Sequence, residues 1–275
     1  MGVPILFSWL NQKHSNCINK EPPKTTENLY IDFNALVHNC YNPNLKSNLE
    51  IYNDTLKRLK KAIDNIVIKT KPTKLLYIAV DGVAPAAKLS HQRARRYKAA
   101  CDKQKNINNC NKNILDGKLE DKSDLTIEER FILEDEILQK SENESKIENF
   151  DSNSITPGTE FMEFIHKGVL DICRFSLSHD KNYKHLKIIY SSYLVPGEGE
   201  QKIMNFIRKY HIVNPKDTHT MYSPDGDIIF LGVGLYDVNL YIMREDTYNN
   251  QNKKIYAKYV LKLAILVKNA ENQNF

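Results

Sequence analysis

The sequence predicts an α/β protein, with a largely parallel central sheet and helices on both of its faces. Two observations carry this expectation. Short apolar runs, near-continuous in β-branched and aromatic residues, recur along the chain as strands buried on both faces do. Between them lie longer segments of helical period, and strands that alternate with helices imply a sheet covered on both sides. At 275 residues, 41% hydrophobic and 27% charged, the chain has the composition of an ordinary globular protein with a sizeable core.

In chain order, the runs read as strands are "LYIDF" (29–33), "LLYIAVD" (75–81), "LKIIYSS" (186–192), "DIIFLGV" (227–233) and "VNLYIM" (238–243). Helices are predicted over 55–70, where Leu56, Leu59, Ile63, Ile66 and Val67 share a face, over 159–177, and over 200–210 with Ile203, Phe206 and Ile207. Thr156–Pro157 reads as the start of the second of these. Trp9 reads as a core residue. Residues 102–153 are dense in Lys, Asp, Glu and Asn, and only 126–139 carries an apolar stripe. That stretch reads as a charged, mobile insert with one surface helix. The asparagine-rich segments 248–253 and 269–275 carry no pattern.

Several classes are excluded. No run approaches the roughly 18 apolar residues of a membrane span. The start "MGVPILFSWL" lacks a basic leader segment, and Leu6 occupies the position where myristoylation needs Ser or Thr. Five cysteines, widely spread and without a C-x-x-C pair, argue against zinc or a disulfide framework and for a reducing, intracellular setting. Cytoplasm and nucleus are not distinguished. The net charge of +5 is mild; where the basic residues cluster says more.

The informative residues are acids at strand ends. Asp32 interrupts an apolar strand, Asp81 closes another, Glu198 and Glu200 follow a third, and Asp225 and Asp227 bracket a glycine in "SPDGD". Ligands of open α/β sheets bind at the carboxyl ends of strands. Six carboxylates gathered there would repel one another, and two divalent cations would remove the repulsion; oxygen ligands suit Mg²⁺ or Mn²⁺. Such an ion pair activates water and stabilises both oxygens of a phosphoryl displacement. Each acid singly has a structural alternative: Asp81 an Asx turn, Asp225 a turn former, Asp32 an arginine partner, Glu198 and Glu200 a helix start. Directly after Asp81, the stretch Lys88–Lys98 holds five basic residues and no acid. At helical spacing Lys88, Gln92, Arg95 and Arg96 share a face, which suits a phosphate or, alternatively, simple solvation. His38 is either a satisfied polar residue or a ring able to stack on a base.

The stretches "MGVPILFSWL", "NLYIDFNALVHNC", "AVDGVAPAAKLSHQRARR", "DSNSITPGTEFM", "YLVPGEGEQKIMNFIR" and "YSPDGDIIFLG" together resemble the N-terminal region of the XRN family of 5′→3′ exoribonucleases, in family order over nearly the whole chain. The resemblance implies a PIN/FEN-like nuclease core over 1–275 that degrades single-stranded RNA from a 5′-monophosphate, in RNA decay or processing. It makes Asp32, Asp81, Glu198, Glu200, Asp225 and Asp227 the metal-binding catalytic acids. It makes Lys88, Gln92, Arg95 and Arg96 the pocket for the 5′-phosphate, and His38 a stacking partner of the terminal nucleotide. Three departures stand out. Ala86 replaces an arginine, Gly226 replaces an alanine, and the family's remaining metal-binding aspartate lies beyond Phe275, so that the domain reads as incomplete at its C-terminus. Two alternatives follow: a catalytically impaired RNA 5′-end-binding or scaffold protein derived from the family, or a DNA nuclease of the FEN/XPG type.

Overall fold

A computed structural model describes residues 6–19, 23–42, 45, 47–90, 92–98, 101–102, 105, 152–235, 237–245 and 257–262. The chain divides into two compact units, Met1–Ala84 with Ser154–Phe275, and Pro85–Asn153.

The first unit contains one seven-stranded sheet in the order β1-β7-β6-β5-β2-β3-β4. Its strands are β1 (Ile18–Asn19), β2 (Thr26–Asp32), β3 (Pro72–Ala79), β4 (Lys187–Ser191), β5 (Thr218–Tyr222), β6 (Asn239–Glu245) and β7 (Ala257–Lys262). The five strands β6-β5-β2-β3-β4 are mutually parallel, and β7 and β1 add an antiparallel edge. The chain steps outward from β2 through β3 to β4, then returns to the other side of β2 with β5. The strand order therefore reverses between β2 and β5, and ligands of open α/β sheets bind outside the carboxyl ends at such a reversal.

Helices cover both faces. On one, Tyr30, Leu75, Tyr77 and Met221 pack with Ile203, Met204 and Ile207 of the helix Gly199–Val213 and with Ile228 and Ile229 of Asp227–Val233. Leu29, Ile31, Leu76 and Ile78 are also fully buried and, by the two-residue period of a strand, point to the opposite face. There α2 (Phe33–Cys40) and α3 (Asn48–Thr70) lie against β3 and β2, and α4 (Glu160–His179) packs on α3. The N-terminal α1 is Leu6–Lys13, and the helices Gly199–Val213 and Asp227–Val233 are α5 and α6. Helix α3 is stopped at both ends by local chemistry: Ser47 accepts a bond from the Glu50 N–H at 3.2 Å, and Lys71 turns left-handed at φ 45°.

Three sequence expectations are corrected. "DIIFLGV" is helix α6, and the strand expected there is "THTMY", β5. Its buried residues Ile228, Ile229 and Gly232 fall on one helical face while Phe230 and Val233 are exposed, a three-to-four-residue period that a seven-residue apolar run conceals. Helix α4 begins at Glu160 with Thr159 as its cap, Oγ1 accepting from the Met162 N–H at 3.3 Å, rather than at Thr156–Pro157. Trp9 is 49% exposed, its ring set edge-on to His14, because α1 turns Leu6, Phe7 and Leu10 to the core instead. The helix expected at 126–139 and the segments 248–253 and 269–275 lie outside the described residues, as does almost all of 102–153.

Candidate active site

Four adjacent parallel strands deliver carboxylates to one rim of the sheet. Asp32 is the last residue of β2, Asp81 follows β3 by two residues, Glu198 and Glu200 follow β4, and Asp225 and Asp227 follow β5. With "DIIFLGV" folded as α6, Asp225 and Asp227 stand past the carboxyl end of β5, beside the β2–β5 reversal. The reversal is bridged directly: Ser223 Oγ donates to Asp32 Oδ2 at 2.8 Å and accepts from the Asp225 N–H at 3.2 Å. Asp225 Oδ1 in turn accepts from the Asp227 N–H at 3.3 Å.

Asp81 is held from two sides. Its N–H donates to Asn34 Oδ1 at 3.0 Å, and its Oδ1 accepts from the Gly199 N–H at 2.6 Å. The loops after β3 and before α5 are clasped by two backbone bonds, Gly82 N–H to the Gly197 oxygen and Gly197 N–H to the Val83 oxygen, both 2.9 Å. Gly199 is buried in the first turn of α5. A Cβ there would lie 3.0 Å from the Ala79 carbonyl oxygen, 3.2 Å from Asp81 Oδ1 and 3.4 Å from Asp32 Oδ1. The glycine between the two glutamates thus serves close approach of the helix to the aspartates, not flexibility.

The helix-start explanation of the acids is only partly met. Asp32 caps α2 and Glu198 caps α5 by backbone position, yet neither side chain makes a capping bond. Asp32 instead points into the acid cluster. Burial, then the nearby Asp81 carboxylate, and then Glu200 and Asp225 push its carboxyl up to about 7, against the lowering effect of the Ser223 hydroxyl. Three of the other predicted acids therefore act electrostatically on Asp32. Among the described residues, no three His, Cys, Asp or Glu side chains are gathered into a metal-holding group. The donor set is nonetheless all oxygen, and its mutual repulsion is what a divalent cation relieves.

Three polar residues at the rim stand two positions from an acid and carried no other signal: Asn34 beside Asp32, Lys202 beside Glu200, and Ser223 beside Asp225. Lys202 Nζ donates to the Val80 carbonyl at 2.7 Å and the Ser192 carbonyl at 3.0 Å. Burial lowers its pKa and the neighbouring Asp81 raises it.

His38 is exposed in the last turn of α2. The basic stretch belongs to the second unit, where residues 86–90 and 92–98 are helical. The Lys88 and Leu89 N–H groups donate to the Pro85 oxygen at 2.8 and 3.2 Å. Lys88, Arg95 and Arg96 are exposed and Gln92 is half-buried, all on the helical surface the spacing predicts.

A family model described as the XRN 5'-3' exonuclease N-terminus matches residues 1–246. The 5'-3' exoribonuclease 2 of Candida albicans is 35% identical, over 94% of this chain and 27% of its own length. The proteins of the same name from Kluyveromyces lactis and Saccharomyces cerevisiae are 36% and 34% identical, each over 92% of this chain and 26% of its own length. The chain thus spans about a quarter of the length of these curated relatives.

Proposed function

The chain belongs to the XRN 5′-3′ exonuclease N-terminal family, with its PIN/FEN-like α/β nuclease fold, and from that premise we propose that it hydrolyses RNA stepwise from a 5′-monophosphate end. The supporting observation is the acid rim, where the carboxyl ends of four adjacent strands bring the acids together and where burial, Asp81, Glu200 and Asp225 push the Asp32 carboxyl up to about 7. Perturbed carboxylates cluster at functional sites, and the carboxyl end of a central strand is where ligands of such sheets bind. Asp32, Asp81, Glu198, Glu200, Asp225 and Asp227 would hold Mg²⁺ or Mn²⁺, two ions in all. When bound, the metal supplies an activated water and charge stabilisation for phosphodiester cleavage.

The remaining work falls to the chain's own side chains. Asn34 and the Gly199 N–H fix Asp81, and Ser223 fixes Asp32 across the strand reversal. Fixing donors before the substrate arrives is how an enzyme avoids reorganisation during the reaction. Lys88, Gln92, Arg95 and Arg96 would bind the terminal phosphate, with paired guanidinium donors favouring its oxygens, and His38 would stack on the first base. A single-stranded RNA substrate follows from the same reading. Among the described residues no helix is long and apolar enough to cross a membrane.

The test is cleavage of matched RNAs bearing a 5′-monophosphate, a 5′-hydroxyl or a cap, with Mg²⁺ and with a chelator. Only the monophosphate RNA with Mg²⁺ is expected to shorten. Equal degradation of all three RNAs would remove the phosphate-reading role, and degradation in the chelator would remove the metal.

A further inference from the structure

We propose that Lys202 is a positioning residue of the acid rim: by closing the fork between β3 and β4 it holds Asp81 where a divalent cation binds. The inference rests on the reading of the rim as a metal-dependent active site.

The β3–β4 ladder ends at the pair Ala79 and Ser191. One more bond follows, from the Val80 N–H to the Ser191 oxygen at 2.9 Å. Beyond it the two chains diverge, one toward Asp81 and the other into the loop that leads to Glu198. Their carbonyls at Val80 and Ser192 have left the ladder; the Ser192 oxygen accepts from the Val195 N–H at 3.1 Å, while the Val80 oxygen, in a partly buried place, needs a donor. The Lys202 ammonium supplies that donor at 2.7 Å and adds a second bond to the Ser192 oxygen at 3.0 Å, both charge-assisted, so that it ties the two diverging chains together. The peptide whose oxygen it grips is the one that begins Asp81. A third anchor sits on the same helix, because the Gly199 N–H takes Asp81 Oδ1 three residues earlier in α5. Helix α5 therefore carries Glu200 to the rim and, through Gly199 and Lys202, fixes the aspartate of the neighbouring strand. Nothing in the local pattern explains a half-buried lysine here as a solvated surface charge, since Lys202 has two backbone acceptors and a carboxylate for company.

The consequence has a definite sign. A positive charge beside Asp81 opposes a divalent cation, so removing that charge with no other effect would tighten metal binding. If positioning dominates, removal loosens the fork and weakens binding, by about 10–100-fold as for other outer-shell partners of metal ligands. The experiment is Mn²⁺ titration of the full chain, followed by electron paramagnetic resonance, for wild type and for Lys202→Met, Lys202→Gln and Lys202→Arg, with thermal unfolding alongside. Lys202→Met is expected to bind Mn²⁺ at least about tenfold more weakly, Lys202→Gln to fall between, and Lys202→Arg to stay close to wild type. On 5′-monophosphate RNA the Met variant is expected to lose kcat with little change in KM. Should the Met variant not fold, the Gln and Arg pair decides. Tighter or unchanged Mn²⁺ binding in the Gln variant overturns the role of Lys202 alone, while a wild type that binds no Mn²⁺ overturns the reading of the rim.

Discussion

A Cβ on Gly82 would lie 1.9 Å from the Val195 carbonyl oxygen and 3.0 Å from that of Tyr193, so the backbone there has no slack to give. The clasp between the loops after β3 and before α5 is built on that proximity. Gly82→Ala is expected to destabilise the protein by about 1–3 kcal/mol, the usual cost of overpacking, and to lower cleavage further than the stability loss explains. Denaturant titration beside a cleavage assay separates the two. Gly199→Ala meets contacts of 3.0–3.4 Å instead, which a few tenths of an ångström relieve; its effect should fall on activity, because two of the three neighbours are the Asp81 and Asp32 carboxylates. Asp81→Asn keeps the shape and the acceptor for the Gly199 N–H. Cleavage should nevertheless drop at least ~100-fold, with the melting temperature equal to or above that of wild type, since a charge that raises the Asp32 pKa is gone. A marked fall in melting temperature would make Asp81 a folding residue instead. The gathering of these acids was legible in the sequence: each has a structural alternative singly, but six at the ends of apolar runs are hard to explain one by one. Asn34, Ser223 and Lys202 were not, because a polar residue at a loop or helix start has many.

At the scale of elements, what could be read depended on length and contrast. Helices α3 and α5 announce themselves through apolar residues on one face over 23 and 15 residues. Strand β5 hides because its sequence, "THTMY", is half polar, although His219, Thr220, Met221 and Tyr222 are fully buried by neighbours on both sides. Tertiary placement overrode propensity there. Helix α6 misleads for the opposite reason: seven residues, mostly apolar, fit either period. The antiparallel edge β7 lies between the two asparagine-rich segments, where the sequence predicts no element; its pairing with β6 and β1 defines it. The basic helix is of another kind, since its residues are read by charge and spacing rather than by burial. Arg95, exposed on that helix, is expected to recognise the terminal phosphate. Arg95→Ala should therefore lower kcat/KM for 5′-monophosphate RNA about tenfold or more, in line with the loss of a charged hydrogen bond of roughly 1.5–3 kcal/mol. Cleavage of 5′-hydroxyl RNA should hardly change. An equal fall on both substrates would make Arg95 a general RNA contact.

The whole molecule keeps a second buried polar cluster at the amino ends of its strands, opposite the acid rim, and that cluster sets how stability responds to pH. His219, fully buried in β5, shares a 2.9 Å hydrogen bond with the Tyr30 hydroxyl, stacks on the Tyr30 ring and meets Tyr210 edge-on. Burial lowers its pKa from 6.5 to about 4; Asp217 and Glu27 oppose that shift, while His211 and Lys74 reinforce it. The unfolded chain therefore takes up the His219 proton before the folded one does. The stability this residue contributes is complete above about pH 6.5 and is lost as pH falls toward about 4, a gap worth roughly 3 kcal/mol. In the metal-free protein Asp32 works in the opposite sense. Its folded pKa is raised to about 7, so its contribution is present in acid and lost as pH rises. The two slopes offset each other in wild type, and the difference between proteins is the quantity to read. His219→Gln, which retains an acceptor for Tyr30, keeps the Asp32 slope and removes the other. Denaturant unfolding in chelator between pH 4.5 and 7.5 should show the wild type losing about 2–3 kcal/mol more than the variant on acidification. Equal losses would place the acid sensitivity outside His219, and a larger loss in the variant would reverse the sign assigned to it.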